Sequence, residues 1–439
     1  MPQQNLFPLP EKDSSPRKEG EGGGIPRVRS ANRHQIEIRP MDLDSLIPED
    51  HSARAVWAYV ESLDLSAVYG KIRAVEGHAG RTPIDPKILM ALWLYATIDG
   101  VGSARELERL CEEHHAYEWI CGGVSVNYHT LADSRTGEAE LLDGLLTDSV
   151  AVLMKEGLVD LNRVAQDGVR VRASAGAASF RREKTLKKCL EEAEEQVKQL
   201  RQEIDDDPGA GTRRRKASRE RAARERKERV EKALEQLPQV KAKKKPKKKE
   251  NARVSTTDPE ARVMKMADGG FRPAYNLQFA TDTGSQVIVG VDATNGGSDQ
   301  GELGKMVEQI AERHGKPPEE MLVDGGFAKH EDIEKVSGPE HNCTVYAPVQ
   351  KPKDPNRDPH QRRPGDSEAI GAWRERMGTP EAKEIYKERG ATAECVNAIA
   401  RNRGLTQFLV RGLKKIKAVA LWFALAHNMM RATTLRAAL

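Results

Sequence analysis

The segment from residue 180 to 255 constrains the fold most strongly, because its sequence cannot form the interior of a globular domain. Its first half repeats small or apolar residues at alternating spacings of four and three: Leu186, Leu190, Ala193, Val197, Leu200 and Ile204. This heptad seam of almost three repeats is typical of a helix that packs along a partner helix. The break "DDDPGAG" and a second charged helix, from about Arg214 to Leu237, follow it. We therefore expect a helical hairpin inserted into a separate globular domain.

A lysine-rich run follows the second helix. The stretch "KAKKKPKKK" at 241–249 contains seven lysines in nine residues, so it is either solvated or lies against a polyanion. DNA contact is favoured for this run, since neutralising DNA phosphates releases counterions. The candidate DNA contacts are Lys243, Lys244, Lys245, Lys247, Lys248 and Lys249. For the two helices both interpretations stay open: DNA contact, or a solvated surface in which Glu offsets Arg through i,i+4 pairs.

The sequence before the insertion divides into two parts. Residues 1–36 are rich in Pro, Gly and charge, which predicts a disordered tail. Residues 37–155 have a helical pattern: "PIDPKILMALWLYATI" offers a proline-led start and an apolar body, and Ser103 with Glu106 forms a capping box. This part is predicted to be an all-helical domain of about five helices.

Residues 156–439, apart from the insertion, carry β-patterned runs followed by helices. A strand with a turn or kink at Asp167-Gly168 comes first, and a hairpin about "DTGS" follows the insertion. Two further short strands, one ending at Asp324, precede a helical segment capped by Thr379 with Pro380 at its first position. This order predicts a mixed α/β fold with a central sheet and helices on its faces.

Length and composition limit the class of protein. The 439 residues are enough for two or three domains. The five scattered cysteines form no Cys-x-x-Cys pair, which argues for a reducing compartment and against a zinc ribbon or a disulfide framework. The start has no apolar region of a secretory signal, and the most apolar run, 418–426, is too short to span a bilayer. We expect a cytoplasmic protein without a membrane partner.

Three carboxylates are candidates for a metal site. Asp167 and Asp324 each follow an apolar β-run and precede glycine, which predicts carboxylates at the rim of a sheet, and Glu394 lies on a helix expected to pack against it. Converging carboxylates suit a pair of Mg²⁺ ions, which can clamp the attacking and leaving oxygens of a phosphoryl transfer. Each residue also has an ordinary explanation, since Asp-Gly after a strand is commonly a turn and Glu394 alone is a solvent-facing helix residue. The pattern by itself does not decide between these interpretations.

The helix that carries Glu394 has an unusual composition. In "YKERGATAECVNAIAR", Glu394 and Arg401 fall within about 20° of each other at ~100° per residue, and Tyr386 lies about 80° from Glu394. Such a face is poorly suited to a core and well suited to phosphate. Gly390 weakens the helix between Arg389 and Glu394.

Several ordered blocks resemble bacterial insertion-sequence transposases of the DDE class. The three catalytic blocks are matched by "QDGVRVRASA" with Asp167, "LVDGGFAK" with Asp324, and "TPEAKEIYKERGATAECVNAIAR" with Glu394. The branch with a Tyr-Arg-Glu-Lys signature is most similar, although Arg401 stands where lysine is usual. "LIPEDHSAR", "DPKILMALWLYATIDGVGSARELERLCEE" and "YHTLAD" are similar to the helical N-terminal domain of these proteins, and "GGFRPAYNLQFATD" and "LAHNMMRA" to their core and C-terminal blocks.

The resemblance implies a ribonuclease H-like catalytic core that uses two Mg²⁺ ions, with Mn²⁺ able to substitute. The implied metal ligands are Asp167, Asp324 and Glu394, and the implied phosphate contacts are Tyr386, Arg389 and Arg401. The implied reaction is strand cleavage at element ends followed by strand transfer into target DNA. The alternatives are a metal-dependent nuclease without joining activity and a non-catalytic DNA-binding derivative.

The resemblance also implies partners. These are double-stranded DNA, both terminal repeats and target, and a second copy of the chain in a DNA-bound homodimer. A nucleoid-associated location follows, and the helical part at 37–155 is the candidate for terminal-repeat recognition by analogy alone.

Five other side chains have ordinary interpretations. His114 and His115 point about 100° apart on a helix, which favours a surface or packing role. Asp299 is expected to cap the helix that follows it, and an accessory catalytic role is its second interpretation. His330 is expected to be exposed and Trp373 to lie in the core.

Overall fold

The computed structural model describes residues 31, 33–34, 36, 42–74, 82–206, 210–352, 354 and 356–438. The predicted tail at 1–36 therefore lies almost wholly outside the described residues. The chain divides into two units, residues 1–42 and 43–439, and every element described below belongs to the second.

The first part of the second unit is helical, and its described residues form seven helices rather than about five. These are α1 (Ser52–Glu61), α2 (Ser66–Tyr69), α3 (Pro86–Ile98), α4 (Ala104–Glu113), α5 (His115–Cys121), α6 (Tyr128–Gly137) and α7 (Ala139–Lys155). The Ser103 hydroxyl caps α4 as predicted, accepting a hydrogen bond from the Glu106 N–H at 3.3 Å. The reciprocal half of the predicted capping box is not formed in the described chain, because the Glu106 carboxylate accepts from Arg109 instead. His114 caps α5, its Nδ1 accepting from the Ala116 N–H at 3.2 Å, which agrees with a packing role.

The second part is built on a mixed sheet. Its strands are β1 (Arg163–Arg172), β2 (Phe180–Arg181), β3 (Val254–Ser255), β4 (Arg262–Lys265), β5 (Phe271–Asp282), β6 (Ile288–Thr294), β7 (Glu320–Leu322) and β8 (Thr344–Tyr346). The main sheet has the order β4-β5-β1-β7-β8, and β6 also pairs with β5; β2 and β3 form a separate two-stranded ribbon. β1 is antiparallel to β5 and parallel to β7, which is parallel to β8. The predicted mixed α/β class is confirmed.

β1 runs straight through the Asp-Gly pair, so the predicted turn or kink at Asp167-Gly168 is wrong. Its register with β5 is continuous from Val164 opposite Asp282 to Arg172 opposite Ala274. Pairing along the whole strand outweighs the local turn preference of Asp-Gly. On the other side β7 pairs with β1 only from Arg163 to Ala165. Asp167 therefore lies within a strand, but just beyond the point where the neighbouring strand ends.

The predicted hairpin is confirmed by β5 and β6, which are antiparallel. Its turn is held by Asp282, whose Oδ2 accepts hydrogen bonds from the Ser285 N–H at 2.8 Å and the Ser285 hydroxyl at 2.6 Å. The start of β6 is also held from outside the sheet. The Asn428 side chain accepts from the Ile288 N–H and donates to the Ile288 carbonyl, both at 2.8 Å, as a neighbouring strand would.

The helices of this part cover the sheet. They are α10 (Glu302–His314), α11 (His330–Ser337), α12 (Glu368–Gly378), α13 (Pro380–Arg389), α14 (Cys395–Asn402) and α15 (Leu413–Arg436). Thr379 caps α13 with Pro380 in its first turn, and Trp373 is buried, both as predicted. One hydrophobic cluster joins α3, α15 and the sheet through residues such as Leu92, Phe423 and Phe279. No helix among the described residues is long and apolar enough to cross a membrane.

The insertion is a helical arm made of α8 (Glu183–Asp206) and α9 (Ala210–Ala242). Ion pairs show that the helices are antiparallel: Lys241–Glu183 at 2.5 Å, Lys227–Glu194 at 3.1 Å and Arg201–Glu220 at 3.2 Å. The heptad positions described are buried or half-buried: Leu186, Leu190, Ala193, Val197 and Leu200. Residues 207–209, within the predicted break, lie outside the described residues, as does the side chain at position 204. α9 continues past the predicted end to Ala242.

Candidate active site

Asp167 is surrounded by hydrogen-bond donors, beyond the end of the pairing between β1 and β7. Its Oδ1 accepts from the Gly168 N–H at 2.9 Å and lies 3.1 Å from Arg389 Nη2, and its Oδ2 accepts from Asn397 Nδ2 at 3.0 Å. Burial raises the pKa of Asp167, the Arg389 charge opposes this rise, and the charges of Asp324 and Asp299 add to it. These acidic groups therefore lie close enough to act on one another.

Asp324 follows β7 by two residues and is half-buried. Its Oδ1 accepts from the Gly326 N–H at 2.7 Å. Within the described part of the chain its carboxylate forms no ion pair. A Cβ atom at Gly326 would lie 2.8 Å from Asp324 Oδ1 and 3.7 Å from Asp299 Oδ2, and Asp299 Oδ1 packs on Gly168, the residue after Asp167. Asp299 therefore lies between the two aspartates predicted from the sequence.

Glu394 contacts Arg389, the cation that also binds Asp167, because the helix changes its winding. Residues Gly390–Glu394 form a π turn between α13 and α14. In an α-helix, residues five apart point about 140° away from each other, whereas a π turn brings i and i+5 together. Arg389 Nη1 accordingly donates to Glu394 Oε1 at 3.0 Å. The face predicted from regular α-helical geometry is thus corrected at Gly390.

The remaining signature residues divide into two groups. Tyr386 is half-buried, and burial raises its pKa. The Arg389 charge opposes this rise, and the charges of Asp324, Asp167 and Glu394 add to it. Arg389 is 8% exposed. Arg401 is exposed, and within the described chain its side chain forms no hydrogen bond or ion pair. The structure brings Arg389 into contact with Asp167 and Glu394 and leaves Arg401 out of contact with them.

Sequence reasoning missed Asn397 and misassigned Asp299. Asn397 follows Glu394 by three residues, one helical turn, and this spacing is the signal that places it on the same side. Asp299 does not cap α10, whose N-cap is Gly301 without a side-chain hydrogen bond. Its carboxylate instead accepts from Asn276 Nδ2 at 2.6 Å and Gln278 Nε2 at 2.8 Å. His330 is exposed, as predicted.

The candidate DNA-contacting lysines lie at the end of the arm that joins the sheet. Three of them directly precede a 3₁₀ helix at Pro246–Asn251, and the other three lie within it. Five of the six are exposed, and Lys244 is half-buried. Within the described chain none of the six forms an ion pair with an acidic side chain. Their charges are therefore available to an outside anion.

The three carboxylates suit divalent ions by their chemistry, although they are not arranged as a formed centre. Among the described residues no group of three or more His, Cys, Asp or Glu is placed to hold a metal. The Arg389 guanidinium contacts two of the three carboxylates, Asp167 at 3.1 Å and Glu394 at 3.0 Å. Carboxylate oxygens are the ligands that Mg²⁺ and Mn²⁺ prefer, and within the described chain Asp324 has no competing cation. The residues therefore fit the ions that the sequence predicts.

Two family models match the chain. A transposase domain (DUF772) matches residues 41–136, and a transposase DDE domain matches residues 239–429. Comparison with curated proteins and with solved structures found no match. The second match includes Asp324 and Glu394 but begins after Asp167, which the arm separates from it in sequence. In the fold, β1 pairs with β5, so Asp167 lies opposite Phe279, which belongs to the matched region.

Proposed function

This chain is an insertion-sequence transposase of the DDE class, and we propose that it cleaves DNA at the ends of its element and joins them to target DNA. The observation that supports the proposal is that one guanidinium, Arg389, contacts both Asp167 and Glu394, while Asp324 lies across Gly326 from Asp299, which packs on Gly168. Asp167, Asp324 and Glu394 come from three distant segments of the chain. A family of this class acts on DNA and normally uses divalent metal ions.

The carboxylates of Asp167, Asp324 and Glu394 would hold two Mg²⁺ ions, with Mn²⁺ able to substitute. Bound there, the ions would supply Lewis-acid stabilisation to the attacking and leaving oxygens of phosphoryl transfer. Asn397 orients the Asp167 carboxylate through its 3.0 Å hydrogen bond. Tyr386 and Arg389 line the same place, where a guanidinium fork suits a DNA phosphate. Arg401 would contact phosphate farther from the carboxylates.

The architecture supports further parts of this proposal. The catalytic core, residues 156–439 outside the 180–255 insertion, is ribonuclease H-like: Asp167 lies on central β1 and Asp324 follows the parallel β7. The helical part at 37–155 binds terminal repeats by analogy alone. The lysine run contacts DNA phosphate, and a homodimer forms on DNA. The protein works in the cytoplasm at the nucleoid.

Charge-removing substitutions at the three carboxylates test the catalytic assignment. Asp167→Asn, Asp324→Asn and Glu394→Gln should each abolish strand cleavage of element-end DNA while DNA binding remains. Asp292→Asn is the matched control, because Asp292 lies on β6 and faces Lys417 at 3.5 Å. Cleavage retained by any of the three variants would remove that residue from the site.

Strand joining is tested separately with pre-cut ends. Incubation of these ends with a target plasmid and a divalent ion should give joined products. Cleavage of intact ends without any joining would limit the protein to a nuclease.

A further inference from the structure

Asp299 is held in a fixed position by buried amides. Its side chain is 15% exposed, and its Oδ1 accepts from Asn276 and Gln278, both fully buried on β5. Gln278 in turn accepts from Gln166 Nε2 at 3.0 Å, and the same nitrogen donates to the Glu302 carbonyl at 3.3 Å. The network links β1, β5 and the start of α10, so the position of the Asp299 carboxylate is determined by the sheet.

The two glycines that follow the catalytic aspartates make room for this carboxylate. A Cβ atom at position 168 would overlap Asp299 Oδ1 and would lie 2.7 Å from Gln278 Nε2. A Cβ atom at position 326 would lie 2.8 Å from Asp324 Oδ1 and 3.7 Å from Asp299 Oδ2. Asp299 and Asp324 therefore face each other across Gly326, and Asp299 packs on the residue directly after Asp167.

Two acceptors at this place, Asp299 Oδ2 and Asn276 Oδ1, have no hydrogen-bond donor in the described chain. Asp299 Oδ2 has one cation near it in the described chain, Arg170 Nη2 at 3.9 Å. Asn276 Oδ1 is buried without a hydrogen-bond partner in the described chain and would lie 2.8 Å from a Cβ at position 168. Asp324 has no ion pair among the residues that the structure describes. A buried, unpartnered acceptor beside several carboxylates is a costly arrangement that a bound cation relieves.

We propose that Asp299 is a positioning residue that raises the affinity of this site for divalent cations, by holding a fourth negative charge beside Asp167 and Asp324. The inference rests on the proposed function, because it assumes that these two aspartates bind the cation. A fixed negative charge a few ångströms from a divalent ion adds Coulomb attraction. The charge needs no ordering when the ion binds, since the amides of Asn276 and Gln278 already hold it.

Asp299→Asn separates charge from structure. This variant keeps an oxygen that can accept from both amides and loses the negative charge. Mn²⁺ binding to the full chain without DNA is measured by electron paramagnetic resonance, and folding by thermal unfolding. Mn²⁺ affinity should fall about tenfold, with little change in unfolding temperature, while Asp292→Asn leaves the affinity unchanged. Parent-like Mn²⁺ affinity in Asp299→Asn would overturn the inference and make Asp299 a structural anchor only.

A second variant should change Mn²⁺ affinity in the opposite direction. Arg170→Gln removes the cation nearest Asp299 Oδ2 and should tighten Mn²⁺ binding several-fold. If Asp299→Asn folds poorly, unchanged affinity in Arg170→Gln overturns the inference by itself.

Asp167→Asn, measured in parallel, distinguishes the two proposals. Loss of Mn²⁺ binding in Asp167→Asn with no change in Asp299→Asn would refute only the role of Asp299. Parent-like binding in Asp167→Asn would refute the proposed catalytic site itself. A parent protein that binds no Mn²⁺ up to millimolar concentration would refute both.

Discussion

Arg389 and Asp167 form an ion pair inside the protein, with Nη2 3.1 Å from Oδ1 and side chains 10% and 18% exposed. The same guanidinium donates to Glu394 at 3.0 Å. Arg389, for which the resemblance implies a contact with DNA phosphate, thus binds two carboxylates of its own chain. We expect a phosphate that binds Arg389 to compete with these carboxylates for the guanidinium, which would couple DNA binding to the release of the carboxylates.

Arg389→Ala should destabilise the protein by about 2–4 kcal/mol, because it leaves the buried Asp167 without its cation. Arg389→Lys should cost less, since a point charge satisfies one carboxylate but cannot fork between two. Urea unfolding at pH 7 measures both changes. In an Asp167→Asn background the cost of Arg389→Ala should shrink by about 1 kcal/mol or more. Equal costs in the two backgrounds would show that the pair does not contribute to stability.

Gly168→Ala should disturb the site, because the added methyl group would overlap Asp299 Oδ1. We expect stability to fall by about 1–3 kcal/mol and DNA cleavage to be strongly reduced. Gly144→Ala on α7 is the matched control, since a Cβ there meets nothing within 4 Å. That control should gain about 0.5–1 kcal/mol, as expected for glycine replaced inside a helix. Thermal unfolding of both variants tests whether stability falls in Gly168→Ala and rises in Gly144→Ala, and cleavage assays test whether activity is lost only in Gly168→Ala.

His427 should make stability fall in acid. Burial lowers the pKa of His427 to about 4, while an unfolded histidine titrates near about 6.5. The folded pKa is depressed, so the unfolded chain takes up the proton first. The contribution is complete above about pH 6.5 and is lost as the pH falls towards about 4, by up to about 3 kcal/mol. Urea unfolding at pH 7 and pH 5 should show this loss in the parent and a smaller loss in His427→Gln. Equal losses would contradict the assignment.

The lysine run should set the salt dependence of DNA binding. We expect that replacing Lys243, Lys244, Lys245, Lys247, Lys248 and Lys249 by Gln weakens DNA affinity and flattens its dependence on salt. Each DNA phosphate that is no longer neutralised should reduce the logarithmic salt slope by about 0.9. Replacing Lys187 and Lys188, which lie near Glu183 and Glu192, is the control and should change the slope little. Fluorescence anisotropy at several salt concentrations measures the slopes, and an unchanged slope in the sixfold variant would exclude DNA contact.

Local signals predicted the elements that depend on neighbouring residues. Ser103 and Thr379 cap their helices, and the heptad seam around Ala193 pairs with α9. Such signals act over one or two helical turns, so they are visible in the chain order.

Predictions failed where distant segments decide the outcome. The Asp-Gly pair at 167 and 168 is a turn signal by itself, but pairing with β5 keeps it in a strand. Asp299 has the spacing of a helix cap, and amides at 276 and 278 claim its carboxylate. The π turn that brings Glu394 to Arg389 likewise depends on packing against the sheet. Gly390 marks a weak point in the helix, but it does not specify a π turn.

The arm leaves and rejoins the core at one point, because Phe180 pairs with Ser255 and the Ser179 and Ser255 hydroxyls lie 2.7 Å apart. The β2–β3 ribbon holds the two ends of the arm together. The structure of the core therefore depends on where the arm is attached and not on how long the arm is. Seven residues added to each arm helix would move the tip outward by about 10 Å and leave Asp167 and Asp324 where they are. The length of the arm and the geometry around the two aspartates can therefore change independently in this protein.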